Sequence, residues 1–275
     1  SARIAIMRIP PIRIMIPHFS HLDKTRKCNH NRSMNTIDTI FAGRFSVPVL
    51  YEDNHLLVVV KPANLPTQAD ASGDDDLLSI LKRYIGNKYQ KPGNVYMGLV
   101  HRLDRPVGGV MVFARTSKAA SRLSEAFTKH DQDRQYLAVL QGEMPFSREM
   151  VNYLLKTESG NQKFTVRAVS EGTPGAKRAQ LLSEPIAIRD HLTLARATLY
   201  TGRAHQIRVQ HAAAGFPLWG DARYGGGKPG QQIALWAYRL SFKHPTKKEE
   251  TLSFVAPPPN SGVWKLFADE IAAIE

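Results

Sequence analysis

The sequence predicts a single mixed α+β domain, with a mainly antiparallel sheet and flanking helices. Two observations carry this prediction. Short apolar segments of strand character follow one another at hairpin spacing along most of the chain, and far fewer segments show the period of a helix. A length of 275 residues allows one large domain or two small ones, and no internal repeat divides it.

The individual elements begin with residues 56–60, a short apolar run between a polar turn and prolines, which predicts a buried strand. Helices are predicted where apolar residues recur at helical spacing: over residues 74–85, 116–130, 204–215 and 264–274. Thr116 or Ser117 would cap the second helix, and Gly215 would end the third. The other predicted strands cover residues 109–116, 134–142, 163–169, 176–183, 192–200, 233–242 and 250–256.

Basic residues are in clear excess. The chain has 37 Lys and Arg residues against 24 Asp and Glu, a formal net charge of +13. Such a balance attracts polyanions, most often nucleic acid, although a protein can also be basic without that partner. About half of the excess lies in residues 1–33, which contain seven Lys and Arg residues and one acid.

Residues 1–46 are predicted to be an irregular basic leader, and residues 47–275 the folded domain. The leader has consecutive prolines and no sustained helical or strand period. It is either upstream sequence ahead of a true start at Met34 or a transit peptide. The first interpretation is favoured because its arginines lie along no convincing amphipathic face.

Several classes of protein are excluded or disfavoured. No apolar run approaches the ~18 residues of a spanning helix, so no membrane segment is expected. The single cysteine, Cys28, allows no disulfide within one chain and fits a reducing compartment, so we expect a cytoplasmic location. We also expect a monomer. "GGGKPG" at 225–230 imitates a dinucleotide fingerprint, but Pro229 interrupts it and no helix follows, which indicates a turn. His205 and His211 are six residues apart, off the spacing of paired helical ligands, so we expect no metal and no other cofactor.

The stretch "LVHRLDRPVGG", residues 99–109, places one acid, Asp104, between Arg102 and Arg105. Alone, it is as typical of a charged surface loop as of a site. A second cation-rich corner, "TGRAHQIR" at 201–208, joins a strand end to a helix, and "RQYLAVLQG" places Tyr136 near the start of a strand.

In this order and at these separations, residues 101–105, 134–136 and 201–208 resemble the motifs of the RluA-type RNA pseudouridine synthases. The segments "KPANLP", "GDARYGG" and "ALWAYRLSFKHP" extend the resemblance over residues 47–254. The resemblance implies a catalytic domain of pseudouridine synthase type. It also implies that the protein flips a uridine out of structured ribosomal or transfer RNA and isomerises it to pseudouridine without a cofactor.

The resemblance also assigns roles. Asp104 would begin cleavage of the glycosidic bond, as nucleophile or as base, and Arg203 would be the cation paired with it. Tyr136 would pack near the flipped uridine and handle a proton, while Arg102 would fill the gap left in the RNA stack. The other residues expected to bind substrate are His101, Arg105, His205 and Arg208.

The chain departs from the family pattern at four positions. Val107-Gly108-Gly109 stands where Thr-Ser-Gly is usual, which changes the first two residues, and Gln210 and Trp236 stand where His is usual. None of these is a predicted catalytic position. Two other functions stay open: an RNA-binding module of the same fold without turnover, and a hydrolytic N-glycosidase, which would release free uracil. The sequence does not identify the RNA or the uridine.

Overall fold

The computed structural model describes residues 31–32, 35–159, 163–247 and 249–274. Within these residues, thirteen strands form one sheet that is flanked by helices. The predicted α+β class with a mixed, mainly antiparallel sheet is therefore confirmed. No helix of the described part is long and apolar enough to cross a membrane.

The strands are β1 (Asn31–Arg32), β2 (Asp38–Ala42), β3 (Phe45–Glu52), β4 (Leu56–Lys61), β5 (Gly98–Leu99), β6 (Gly108–Ala114), β7 (Asp133–Gln141), β8 (Arg148–Ser159), β9 (Lys163–Val169), β10 (Lys177–Arg189), β11 (Leu192–Leu199), β12 (Leu235–Lys243) and β13 (Thr251–Val255). The helices are α1 (Leu77–Lys88), α2 (Ser117–Lys129), α3 (Gln206–Ala213) and α4 (Ala268–Ala273), and a 3-10 helix (Gly262–Phe267) precedes α4.

The main path of the sheet runs β2-β3-β4-β6-β12-β7-β11-β10-β8-β9. In the described chain, only the β6–β12 and β1–β13 pairs are parallel. Strand β12 lies at a fork, because its first residues pair with β6 and its last residues pair with β13, while β7 follows its other side. The fork brings the starts of β6 and β12 together.

The sheet is buried on both faces. Leu57 and Val59 of β4 share one apolar cluster with Leu81 of α1, whereas Leu56 and Val58 share a second cluster with residues of α2. Successive side chains of a strand point to opposite faces, so a strand covered on both sides is a continuous apolar run. That explains why residues 56–60 were recognisable from their sequence.

The structure corrects the predicted elements in three places. The sheet already includes β1 and the β2–β3 hairpin, which lie at least partly upstream of the boundary predicted at residues 46–47; residues 1–30 and 33–34 lie outside the described part. Strand β8 was not predicted, since among its described side chains only Met150 and Leu154 are buried. The predicted helix over 264–274 divides into the 3-10 helix and α4.

Two of the departures from the family pattern contact each other at the fork. Gly108 of β6 and Trp236 of β12 are register partners. A Cβ atom on Gly108 would overlap the Trp236 ring, at 2.8 Å from Cη2, and would lie 2.9 Å from the Lys61 carbonyl oxygen. The indole is buried and donates its Nε1–H to the Ala256 carbonyl at 2.8 Å. Trp236 therefore requires a glycine at position 108.

We expect Gly108→Ser to lower the free energy of unfolding by about 1–3 kcal/mol, because the added side chain overpacks the space that the indole fills. The double variant Gly108→Ser with Trp236→His, which restores both residues usual in the family, should recover the part of this loss that comes from the indole, while the contact with the Lys61 carbonyl remains. Urea unfolding of the two single variants and the double variant measures the coupling. Additive losses in the double variant would contradict the proposed contact.

Candidate active site

An open cleft of about 80 Å³ collects side chains from the three predicted motif segments. The predicted site residues that line it are Arg102, Asp104, Tyr136, Arg203, His205 and Arg208. They come from the loop before β6, from β7, and from the turn and first residues of α3. The structure thus brings together six of the eight residues that the sequence singled out.

The loop between β5 and β6 holds Asp104 in the cleft by anchoring its neighbours. Leu103 is buried, and its carbonyl accepts a hydrogen bond from the Thr67 hydroxyl at 2.9 Å. The Asp104 carbonyl accepts from the Val107 N–H at 2.9 Å, which closes a turn, and Val107 is itself buried. The Asp104 side chain stays 32% exposed, so it is open to a ligand.

The cation paired with Asp104 is Arg208. Its Nη1 donates to Asp104 Oδ2 at 3.0 Å, while its Nε and Nη2 donate to the two oxygens of Asp221 at 2.7 and 2.8 Å. Asp221 is 1% exposed and Arg208 is 9% exposed. One guanidinium group therefore joins a buried carboxylate to the carboxylate in the cleft, and its planar fork suits this task.

The predicted pairing of Asp104 with Arg203 is wrong. Arg203 lines the cleft, but its Nε donates to the Arg178 carbonyl at 3.0 Å. The reason is the point at which α3 begins. Arg203 lies in the turn before the helix, whereas Arg208 lies in its first turn, on the side that faces Asp104.

Gln206 organises the turn before α3. Its Oε1 accepts from the Thr201 hydroxyl at 2.8 Å and from the Arg203 N–H at 2.9 Å, and its Nε2 donates to the Gln180 carbonyl at 3.1 Å. The side chain is buried, so each of these bonds satisfies a group that water does not reach. This accounts for the threonine and the glutamine in "TGRAHQIR".

His205 is a neutral neighbour of Asp104. Its Nε2 lies 3.5 Å from Asp104 Oδ2, and its Nδ1 lies 2.7 Å from the Tyr224 hydroxyl. Burial lowers the pKa of His205 to about 4, although the Asp104 charge opposes this shift. The tautomer with its proton on Nε2 satisfies both contacts, since Nδ1 then accepts from Tyr224. The backbone of His205 is left-handed, with φ at 51°, a strained conformation that often marks functional sites.

Tyr136 of β7 forms the inner wall of the cleft. Its strand neighbours are Ala197 of β11 and Ala237 of β12, and these small side chains leave room for the ring. Burial raises the pKa of the Tyr136 phenol, so the hydroxyl keeps its proton at neutral pH and acts as a hydrogen-bond donor.

Two predicted substrate-binding residues do not line the cleft. The His101 ring stacks on Phe127 with centroids 4.8 Å apart, and its Nε2 accepts from the Val112 N–H at 3.1 Å. Burial lowers the pKa of His101 to about 3, so the ring is neutral. The Arg105 side chain binds Asp74 and lies 3.6 Å from Asp70, in the loop before α1. Both residues support the loop that carries Asp104, which is a correction to their predicted role.

Lys61 is a buried cation that sequence reasoning did not assign to the site. It ends β4 opposite Gly109, and its Nζ donates to the carbonyls of Arg105 at 3.1 Å and Pro62 at 3.2 Å. Burial lowers the pKa of Lys61 to about 7, against the raising effect of the Asp104 charge. Lys61 therefore holds the backbone next to Asp104 and adds a titratable charge beneath it.

Asp221 and Tyr224 were also missed as site residues. Both belong to "GDARYGG", a segment that the resemblance covered without giving a role to either side chain. The resemblance to the family was the only sign that these two residues belong to the site. The local sequence pattern does not distinguish a buried acid from an acid in an exposed turn. Among the described residues, no group of three or more His, Cys, Asp or Glu side chains is arranged to hold a metal ion.

The fold and the cleft together define a mixed α+β protein that presents one carboxylate, Asp104, among cationic and aromatic side chains. Residues 55–213 match a family model described as RNA pseudouridylate synthase. The match covers more than half of the chain, and the chain belongs to this family, as the motif resemblance predicted.

Relatives agree with this assignment. The chain is 34% identical over 205 residues to the uncharacterized RNA pseudouridine synthase YhcT of Bacillus subtilis (strain 168), which covers 73% of the chain and 65% of the relative. It is 32% identical over 209 residues to the ribosomal large subunit pseudouridine synthase D of Zymomonas mobilis subsp. mobilis, covering 72% of the chain and 65% of the relative. The chain thus spans 65% of the length of these two proteins.

A solved structure has a similar fold. The human RNA pseudouridylate synthase domain containing 4 superposes with a TM-score of 0.64 at 20% identity, over 82% of this chain and 91% of the human chain. The similarity supports the architecture described above.

We expect the stability that Lys61 contributes to depend on pH. Its pKa is about 7 in the folded protein and 10.5 for an ordinary lysine, so between these values the unfolded chain binds more protons than the folded one. Raising the pH through this window therefore stabilises the wild type relative to Lys61→Met, by about 1.4 kcal/mol per unit. Urea unfolding of both proteins at pH 7, 8 and 9 measures the difference, and a difference that does not change with pH would contradict the assignment.

Arg208 and Arg203 should differ sharply in their effect on stability. Arg208→Met leaves the buried Asp221 without its cation, which costs about 3–5 kcal/mol for a broken buried pair. Arg203→Met removes one exposed hydrogen bond to a carbonyl and should cost under about 1 kcal/mol. Chemical denaturation of the two variants compares them, and equal losses would show that Arg208 does not carry the pairing.

Proposed function

We propose that this protein isomerises uridines in RNA to pseudouridine, with Asp104 as the residue that begins the reaction. The observation that carries the proposal is the position of Asp104, partly exposed in the cleft, tied to Asp221 through Arg208 and lined up beside Tyr136. A lone reactive carboxylate suits this reaction, because the detached base is kept and rejoined rather than lost to water.

The proposed chemistry needs no net oxidation and no added water. The C1′–N1 bond of the uridine breaks, the uracil turns over, and a C1′–C5 bond forms. C5 loses its proton and N1 carries one in the product, so atoms and electrons balance within the nucleotide. Asp104 either attacks C1′ or removes the proton that starts the cleavage, and both routes require a carboxylate in contact with the sugar.

Arg208 and Tyr136 are proposed to act with Asp104. The Arg208 guanidinium keeps a positive charge against the carboxylate when RNA displaces water from the cleft. Its second partner, Asp221, holds it in place, so Arg208 stays aligned while Asp104 engages the substrate. The protonated Tyr136 hydroxyl packs against the uridine and donates a hydrogen bond to the base or the sugar.

The nucleotide must leave its stack to reach this cleft. Flipping costs a few kilocalories per mole, and the gap in the RNA needs a flat group to fill it. Arg102 is exposed at the rim of the cleft and supplies such a group. Arg203 lies at the same rim, within reach of the RNA backbone.

The substrate we propose is large-subunit ribosomal RNA. The support is the similarity to the ribosomal large subunit pseudouridine synthase D of Zymomonas mobilis subsp. mobilis, together with the basic charge of the chain. RNA is therefore the proposed partner. The cytoplasmic location and the monomeric state stay predictions, the first supported by the use of a single cysteine.

The decisive experiment incubates the protein with total RNA from cells that lack its gene and measures both pseudouridine and free uracil by mass spectrometry. We expect the wild type to form pseudouridine and to release no uracil. Asp104→Asn, which is nearly isosteric, should lose more than 99% of product formation and keep its fold. Asp75→Asn is the matched control, because this exposed acid pairs with Arg83 outside the cleft and should keep full activity.

Two results would overturn the proposal. Release of free uracil would identify a hydrolytic N-glycosidase. Tight RNA binding with neither product would identify an RNA-binding module without turnover.

A further inference from the structure

Two nitrogens of the half-buried Arg134 side chain have no hydrogen-bond partner among the described residues. Arg134 belongs to β7, two positions before Tyr136. The two nitrogens, Nε and Nη2, are inaccessible to water. Buried polar groups are nearly always paired, so an exception of this kind calls for an explanation.

The surroundings of Arg134 hold its guanidinium in place without neutralising it. The group lies 5.8 Å from the centroid of the Phe127 ring. On another side the backbone of Gly202 approaches so closely that a Cβ there would lie 2.7 Å from Nη1 of Arg134. The glycine of "TGRAHQIR" thus makes the space that the guanidinium occupies.

No carboxylate of the described residues forms an ion pair with Arg134, although Asp131 lies near His130 and Asp104 near Tyr136. The Arg134 charge helps to lower the pKa of His101 and, together with Arg203, that of His130, although burial is the larger cause for both rings. The Arg134 charge also acts on the Tyr136 phenol, whose pKa it lowers against the larger raising effect of burial. An anion placed here would meet Arg134 and Arg203 together.

Two other buried arginines of the described chain each have a carboxylate partner, which Arg134 lacks. Arg208 has Asp221 and Asp104, and Arg115 has Glu52 at 3.0 Å. Burying a cation without a counter-charge costs free energy, and proteins tolerate that cost chiefly at sites where a ligand completes the pair. Arg134 is therefore a cation without a paired carboxylate among the described residues, two positions along β7 from Tyr136, which lines the cleft.

We propose that Arg134 binds a backbone phosphate of the RNA beside the nucleotide held in the cleft, with Arg203 as the second cation. The inference rests on the proposed function, since it places the target uridine next to Tyr136. A guanidinium group suits the role because it stays charged when water is excluded and is planar; since Nε and Nη2 are closed to water in the free protein, the contact requires the groups that cover them to move when RNA binds. Gly202 would then contribute to RNA binding, because its missing side chain leaves space for the Arg134 guanidinium.

The test compares Arg134→Met with the control Arg196→Met, whose arginine pairs with Glu184 at 3.3 Å in another part of the sheet. The probe is a fluorescein-labelled RNA stem-loop with unpaired uridines, titrated by anisotropy between 0.05 and 0.3 M KCl, concentrations of the order at which phosphate contacts are resolved. Arg134→Met should bind about tenfold more weakly at 0.1 M KCl, and the slope of log K against log[salt] should fall by about one. Arg196→Met should keep the wild-type slope, and Arg134→Lys, which retains the charge, should keep it as well.

Thermal unfolding without RNA separates binding from a structural role. Removing an uncompensated buried charge should leave the melting temperature of Arg134→Met equal to that of the wild type or higher. A lower melting temperature, or a variant that does not fold, would show that Arg134 stabilises the protein and would overturn the inference. An unchanged salt slope would overturn it too.

These outcomes are independent of the product measurement. Pseudouridine formation by the wild type together with an unchanged slope in Arg134→Met would leave the proposed function standing and reject the phosphate contact. A reduced slope in a protein that forms no pseudouridine would support the phosphate contact and reject the isomerase.

Discussion

The Arg208 guanidinium, placed between two carboxylates, is the interaction on which the cleft depends. Asp221 is almost inaccessible to water, so it needs a cation within hydrogen-bond distance. Meeting that need fixes the first turn of α3, and the remaining nitrogen of the same group then reaches Asp104. The carboxylate exposed in the cleft is thereby positioned by a second carboxylate that is itself buried.

Arg208 and Arg134 are both arginines of this region, but they differ in how many of their guanidinium nitrogens are paired. Arg208 is fully paired, so its position is set before any ligand arrives. Arg134 packs against Phe127 and Gly202, and its Nε and Nη2 have no hydrogen-bond partner among the described residues. A scaffold that satisfied both arginines would be more stable, but it would offer no buried cation to an incoming anion.

The sequence predicted those parts of the fold and of the site that leave a local signal. Strands covered on both faces, such as β4, are continuous apolar runs, whereas β2 and β8 bury few residues and leave almost no pattern. The motifs identified which segments meet in the cleft. They did not distinguish Arg203 from Arg208, because that choice depends on where α3 begins and on the left-handed backbone of His205.

Two of the departures from the family pattern, Gly108 and Trp236, form one packing change. Trp236 fills the space that a side chain at position 108 would need, so the tryptophan and the glycine must occur together. The same glycine pair lets the start of β6 lie directly against β12, with Gly109 paired to Ala237 on one side and to Lys61 on the other. Lys61 in turn donates to the backbone next to Asp104. The unusual residues therefore support the loop that carries the carboxylate, and their presence is compatible with an intact cleft.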